Sequence, residues 1–406
     1  MNRFPTLNDR RSNWWPSLWA SVKIIFVLLA CGTIAIFMIT STEPTETPVA
    51  EGNGSSVAAP TPRIVGPIPT PPAVAATALP QDVFVPGRLI YVKGRTLYMV
   101  HGYDAPVPLA ANASQPSVSP DGTRLAYVAF FKNYQNLMLL SIQQRTSTLF
   151  IDDKLTDPHD ASTGRTATTP SWSDDGKHIY FAWNYPGSPF YGQDGQKMPL
   201  PAPQMERNDP TITRCPASGP CDTTTAQPLT APYFETGGDS QPVARPADPR
   251  YLVYAKFQYQ QARDNTSRAL PRLQALNLTD GSEVSLTDPL DWVTEPAWSA
   301  NGRYLAFVKS SDDLQSSSIW IMAFHPPGRI TDYAGARLLV SGAPLAGYPA
   351  FSPDGKEMAF IQSDTDGNLY LYVATVHFGK NAYVDTPREV KRANVIDGDE
   401  LAWASS

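Results

Sequence analysis

The chain has 406 residues, 42 % of them hydrophobic and 17 % charged, with a formal net charge of −6. That length admits several average domains or one large repeat domain. The sparse, net acidic charge argues against a nucleic-acid surface, which needs clustered Lys and Arg.

Read from the N-terminus, residues 1–19 form a cytoplasmic segment and residues 20–40 a transmembrane helix. Ile24 to Thr40 is apolar and uncharged, and with Leu18 to Val22 it reaches about 20 residues, enough to span a bilayer core. Trp14, Trp15 and Trp19 stand where an interfacial aromatic belt belongs. Arg3, Arg10, Arg11 and Lys23 precede or enter the span, whereas Glu43, Glu46 and Glu51 follow it. The positive-inside rule then places the remaining chain outside the cytoplasm on a single-pass anchor in the cell membrane. Two other readings fit the same residues. Leu28-Leu29-Ala30-Cys31 resembles a lipoprotein cleavage box, although Gly32 to Ile39 stays apolar, and a cleaved secretory signal is the third. Residues 41–86 are rich in Pro, Thr and Ala without hydrophobic period, which reads as a semi-rigid stalk.

From Gly87 a single phrase recurs. It begins at Gln115, Thr169, Gln241, Glu295 and Tyr348, each followed by Pro, and a clipped copy, Asp399 to Ser406, ends the chain. The prolines are mostly spaced by roughly 53–54 residues, with one longer interval from Pro170 to Pro242 and a similar step from Pro349 to Leu401, so one supersecondary unit is copied and packed on itself. Within each unit an apolar run meets Asp-Gly or Asn-Gly (Asp121-Gly122, Asp175-Gly176, Asn301-Gly302, Asp354-Gly355) and then a second apolar run. These pairs are expected to supply the positive φ angles of a tight hairpin. Asp248-Pro249 breaks the rule, so the third turn must differ. Third strands are expected from Asn136, Arg272, Ser318 and Asn368, and fourth strands from Ser147, Glu283 and Ala336. Four short antiparallel strands per unit make a β-propeller blade. Whether Pro199 to Arg214 supplies the third strand of the long second unit stays open.

The repeated Ser-Pro-Asp-Gly phrase resembles the repeat of TolB-like propellers, and the propeller domains of prolyl oligopeptidase relatives. The resemblance covers residues 87–406. It implies an all-β, six-bladed propeller of four-stranded antiparallel blades, and relatives that act in envelope protein complexes. The ring is expected to close by pairing the C-terminal strand with N-terminal ones: Trp403 takes the place of Trp298, and Leu89 to Val92 that of Leu305 to Val308. Trp172, Trp298 and Trp403 share one repeat position and read as core between blades.

Of three cysteines, Cys31 lies in the expected membrane span, and Cys215 and Cys221 are close enough to form a disulfide outside it. No metal set, cofactor motif, Gly-x-Ser-x-Gly or His-Glu-x-x-His is present, and Asp364 to Asn368 reads as a turn rather than a calcium loop. Asn112, Asn265 and Asn277 begin glycosylation sequons. Loops between second and third strands, with the long 184–227 stretch, decorate one face. Near the channel mouth on that face should sit the residues before each repeat proline: Gln115, Thr169, Gln241, Glu295, Tyr348 and, in the clipped copy, Glu400. Such a polar ring either binds a ligand or is a set of solvated strand ends. The expected function is a membrane-tethered, extracytoplasmic module binding protein, peptide or glycan. The alternatives are an extracellular glycoside hydrolase or lyase using Glu295 and Glu400, and a structural spacer.

Overall fold

A computed structural model of the chain describes residues 82–405 except 133, 154–165, 185–189, 192–196, 199–209, 232–237 and 343. The expected cytoplasmic segment, transmembrane helix and nearly all of the stalk lie outside the described residues. Among those described, no helix is long and apolar enough to cross a membrane.

Six antiparallel sheets of the expected kind are present, and their inner strands line one cavity. Blade 1 runs outward through Ala113–Val118, Arg124–Phe130, Gln135–Ser141 and Thr146–Ile151. Blade 2 uses Ala167–Trp172, His178–Trp183, Thr211–Pro216 and Gln227–Pro228, so the strand left open by the sequence begins where Pro199 to Arg214 ends. Blade 3 uses Asp239–Ala244, Tyr251–Gln261, Ser267–Asn277 and Glu283–Ser285; blade 4 uses Trp292–Trp298, Tyr304–Ser310, Ser317–Ala323 and Arg337–Val340. In blade 5, Ala346–Phe351, Glu357–Ser363 and Leu369–His377 are followed by an outer edge split into Tyr383–Val384 and Arg388–Glu389.

Blade 6 closes the ring as the sequence predicts. Its inner strand is the C-terminal Ala402–Ala404, and its other three are Val85–Lys93, Thr96–Gly102 and Val107–Ala111. Leu89 stands opposite Trp403 in the ladder, so no open sheet edge faces the closing gap. A second clasp lies just outside it. Arg392 forms a buried ion pair with Asp82 at 3.0 Å and donates to the Val83 and Gly102 carbonyls. The first and last parts of the propeller are therefore tied by backbone and by charge.

The hairpin turns correct one expectation. Only the glycine of each pair has positive φ: Gly122 at +69°, Gly176 at +67°, Gly302 at +63° and Gly355 at +70°. The preceding Asp or Asn acts through its side chain instead. Ser119 Oγ donates to Asp121 Oδ1, which also accepts the Thr123 N–H, while the Arg124 N–H donates to Ser119 Oγ. Gly122 N–H closes the turn on the Ser119 carbonyl at 2.8 Å. The same set recurs at Ser173, Ser299 and Ser352. Blade 3 does differ. Arg245 stands in place of serine, its N–H reaches one residue further, to the Tyr251 carbonyl, and Asp248 is clamped by Arg245 and Arg250.

The core lies between blades. Trp172 and Trp298 are buried there, as expected, and their indole N–H groups donate to the Ser117 and Val243 carbonyls of the preceding inner strand. Trp403 departs from the pattern: it is only partly buried and donates within its own blade, to Pro86. Cys215 and Cys221 are disulfide-bonded. Their loop packs on blade 1, where the Cys221 N–H donates to the Phe150 carbonyl. The second and third strands of blade 3 stay paired out to Gln261 and Ser267, so most of the stretch from Gln258 to Leu270 is strand rather than loop. Arg263 at its tip is held by Asp291 at 2.8 Å and Asp312 at 3.1 Å.

Deleting Glu400 to Ser406 removes the inner strand of blade 6 and uncovers its neighbours. The expected cost exceeds about 4 kcal/mol, the range of core-disrupting changes. Thermal unfolding followed by circular dichroism checks this; a truncated chain melting like its parent would count against closure.

Candidate functional site

The inner strands share a distortion that the sequence marks with proline. In blade 1, Ser114 pairs with Val128 and Ser117 with Ala126, so Gln115 and Pro116 together face Tyr127. Two residues opposite one is a β-bulge. The same shift occurs at Thr169-Pro170, Gln241-Pro242, Glu295-Pro296 and Tyr348-Pro349. Proline suits the second bulge position because that residue has no ladder bond to donate. The first position is left-handed in every case, with φ of 52° at Gln115, 48° at Thr169, 53° at Gln241, 54° at Glu295 and 55° at Tyr348. For residues other than glycine that conformation costs roughly 1–2 kcal/mol each. Opposite the five bulges stand Tyr127, Phe181, Tyr254, Phe307 and Phe360, all buried. These aromatics recur at one position of the second strand, and the sequence reading passed over them.

A bulge turns a backbone N–H away from its own sheet. Here each N–H finds an acceptor on the preceding blade. Gln115 Oε1 accepts the Thr169 N–H at 2.8 Å, and Thr169 Oγ1 the Gln241 N–H at 3.0 Å. Gln241 Oε1 accepts the Glu295 N–H at 2.9 Å, and Glu295 Oε2 the Tyr348 N–H at 2.5 Å. Gly347 leaves room for that last contact, since a Cβ there would lie 3.0 Å from Glu295 Oε2. The five expected ring residues Gln115, Thr169, Gln241, Glu295 and Tyr348 are thus brought together and are buried, between 3 % and 9 % exposed. They are not solvated strand ends, and four of their side chains cap a neighbouring blade.

The sixth position departs from expectation. Glu400 lines the cavity, but the cap on the Gln115 N–H is Asp399 Oδ1, at 3.1 Å, which also accepts the Glu400 N–H at 2.8 Å. Sequence alignment on proline selected Glu400 and missed Asp399. In the other blades Asp399's position holds Ser114, Thr168, Ser240, Thr294 or Gly347, so no acidic pattern marks it.

The ring residues sit at one end of a cavity of about 260 Å³. Below them the wall is largely apolar, with Pro116, Pro170, Pro242, Pro296, Pro349 and Leu401 following in turn, and among the described residues no Lys, Arg or His lines it. Burial, together with the negative charge of Glu400, pushes the Glu295 carboxyl up to about 8, against the smaller opposing effect of the Tyr348 N–H. Among the described residues no group of His, Cys, Asp and Glu is arranged to hold a metal ion. Asp364 caps the amides of Asp366 and Asn368, the turn the sequence suggests.

Glu295 gives the protein a pH signature. Its folded value lies above its ordinary one, so the folded state holds the proton more tightly. The associated stability is complete below the ordinary value of 4.5 and is lost as pH rises to about 8. The melting temperature should fall over that range. Glu295→Gln should flatten the fall by up to ~1.4 kcal/mol per pH unit, as read from denaturant unfolding at each pH; equal slopes in parent and variant would contradict the assignment.

No protein-family model matches the chain, and no curated protein matches it. Among solved structures it is similar to TolB from Acinetobacter baumannii at 17 % identity, over 79 % of this chain and 67 % of that one, with a TM-score of 0.53. It is similar to the putative TolB from Agrobacterium tumefaciens at 16 % identity, over 75 % and 90 %, with a TM-score of 0.47. It is also similar to Kuenenia stuttgartiensis hydrazine synthase at 12 % identity, over 80 % and 48 %, with a TM-score of 0.51. At these identities the likeness speaks to fold alone: a six-bladed β-propeller with TolB-like structural neighbours.

Proposed function

We propose that this chain is a binding module, held outside the cytoplasm by its N-terminal anchor, that receives a segment of protein, peptide or glycan at the ringed end of the channel. The observation that carries this reading is the cavity itself: a polar rim of Gln115, Thr169, Gln241, Glu295, Tyr348 and Glu400 above an apolar wall. Convergent polar groups over an apolar concavity are the usual form of a recognition site. The belt adds pre-organisation, because rim side chains already fixed by hydrogen bonds lose little freedom on binding. The long hairpin of blade 3, docked by Arg263, supplies further surface on the face where second strands turn into third strands.

One observation favours the hydrolase or lyase alternative. Glu295 keeps its proton near neutral pH beside Glu400, as a general acid paired with a carboxylate would. Against it, one oxygen of Glu295 is already committed to the Tyr348 N–H. The binding reading is therefore preferred.

A soluble fragment starting at Asp82 retains the Arg392 clasp and suits affinity capture from cell envelope and a saccharide screen. Binding is expected, and Glu400→Gln should weaken it about tenfold, the effect of losing one charged hydrogen bond. Undiminished binding by channel variants would remove the channel from the account. Turnover of a glycan that the Glu295→Gln and Glu400→Gln double variant loses while still binding would favour the enzyme.

A further inference from the structure

The second and third strands of blade 3 outrun the rest of their sheet. Tyr251–Gln261 and Ser267–Asn277 have 11 residues each, against 6 to 9 in the matching strands of the other blades. The inner strand, Asp239–Ala244, starts opposite Lys256. Among the described residues the last bond on that side runs from the Phe257 N–H to the Gly238 carbonyl, at 2.9 Å. Gln258 to Gln261 continue past it for about 13 Å, at the usual rise of a strand. Gln241 lies toward this end of the inner strand, so the free stretch stands beside the rim.

Hydrogen-bond parity fixes which backbone groups the stretch exposes. In an antiparallel pair alternate residues bond across the ladder, and the others turn N–H and C=O away from it. Phe257 turns away, to Gly238, whereas the Ala262 N–H turns across, to the Thr266 carbonyl at 2.8 Å. Gln258 and Gln260 therefore bond to the third strand. Tyr259 and Gln261 present N–H and C=O on the edge that faces the channel axis. The third strand agrees: Leu273 turns away to the Leu286 N–H, so Ala269 and Pro271 face the outer edge.

The two edges differ in protection. Exposed edges are usually blunted by proline, charge or a bulge. The outer edge has Pro271, which lacks an N–H, with Arg268 and Arg272 beside it. The inner edge, Phe257 to Gln261, has no proline and no charge, and its pairing to the third strand shows no register shift. Among the described residues no strand covers it. The arm is held from blade 4 instead. Gln260 Nε2 donates to the Pro289 carbonyl, Arg268 to the Asp312 carbonyl at 3.1 Å, and Arg263 reaches Asp291 and Asp312. Tyr259, at 59 %, is the most exposed large hydrophobic side chain among the described residues.

We propose that this inner edge pairs with an extended peptide segment of a partner protein, which adds a strand to the blade 3 hairpin beside the channel mouth. A row of alternating N–H and C=O groups at strand spacing is matched by another extended backbone, and a glycan offers no such row. The peptide's amides reach the Tyr259 and Gln261 carbonyls, and its carbonyls accept the N–H groups of the same two residues. An apolar side chain beside Tyr259 sets the register. The arm is already fixed, so little ordering is needed on this side. This rests on the proposed binding module and assigns peptide as its partner class.

The full chain in detergent is panned with a phage library of random linear dodecapeptides, and enriched peptides are resynthesised. At least one is expected to bind, to lose binding when one alternate set of its amides is N-methylated, and to bind Tyr259→Pro about tenfold more weakly, the scale of one backbone hydrogen bond. Tyr259→Pro removes an edge N–H and spares the cross-strand bonds. Ala269→Pro makes the same change on the outer edge and should bind like the parent. No enriched peptide, equal binding to Tyr259→Pro and the parent, or equal loss in both variants overturns the proposal. The channel reading still stands in those cases if Glu400→Gln weakens the enriched peptides or a saccharide binds. Amide exchange of the free chain needs no ligand: Tyr259 and Gln261 should exchange fast between protected Gln258 and Gln260. Slow exchange at both would mean an edge already covered, and overturns the proposal equally.

Discussion

Five of the six inner strands of this propeller carry a bulge that turns a backbone N–H away from its own sheet. The bulges at Gln115, Thr169, Gln241, Glu295 and Tyr348 create these donors, and left unpaired in a buried site each would cost about 1–3 kcal/mol. The fold answers by borrowing an acceptor from the preceding blade. A local defect thereby becomes an inter-blade bond, and the defects taken together become a belt around the channel. The strain of five left-handed residues is offset by contacts that exist only when the blades stand at the correct mutual angle. The belt thus specifies radial packing in a way that apolar burial, which is non-directional, does not.

Function and architecture draw on the same atoms here. The rim that lines the channel is also the set of caps, so a ligand finds side chains whose orientation is already decided. Gln115 and Gln241 must present their oxygens to neighbouring amides, which settles where their NH2 groups lie. Glu400 is the rim carboxylate that does not serve as a cap in this belt, its place there being taken by Asp399. Blades 1 to 3 contribute amides and a hydroxyl to the rim, and blades 4 to 6 contribute two carboxyls and a phenol. The opening therefore has a neutral side and an acidic side.

Much of this was legible in the sequence, for reasons that differ from part to part. The blade count and closure follow from the repeated phrase, because Leu89 to Val92 and Trp403 each match one half of a known unit. Rim membership was legible because proline marks the bulge. What the rim residues do was not, since a cap is a contact across roughly 54 positions of chain and leaves no local pattern. Asp399 escaped because the final copy is clipped and has Leu401 where proline would set the register. The Asp-Gly turns were correctly placed but for a partly mistaken reason: the aspartate works as an acceptor, and only the glycine needs the left-handed region. The length of the blade 3 hairpin leaves no apolar pattern, since Gln258 to Gln261 is polar and only backbone pairing with Ser267 to Leu270 carries the strands on.

Residue-resolved amide exchange of the native propeller tests the belt most directly. The amides of Thr169, Gln241, Glu295 and Tyr348 are each capped by a side chain of the preceding blade, and these caps are what should protect them. The account predicts that they exchange as slowly as neighbouring ladder amides. Exchange at the rate of solvent-open loop amides would show that the caps do not hold, and the belt would have to be abandoned as the organising element of the ring.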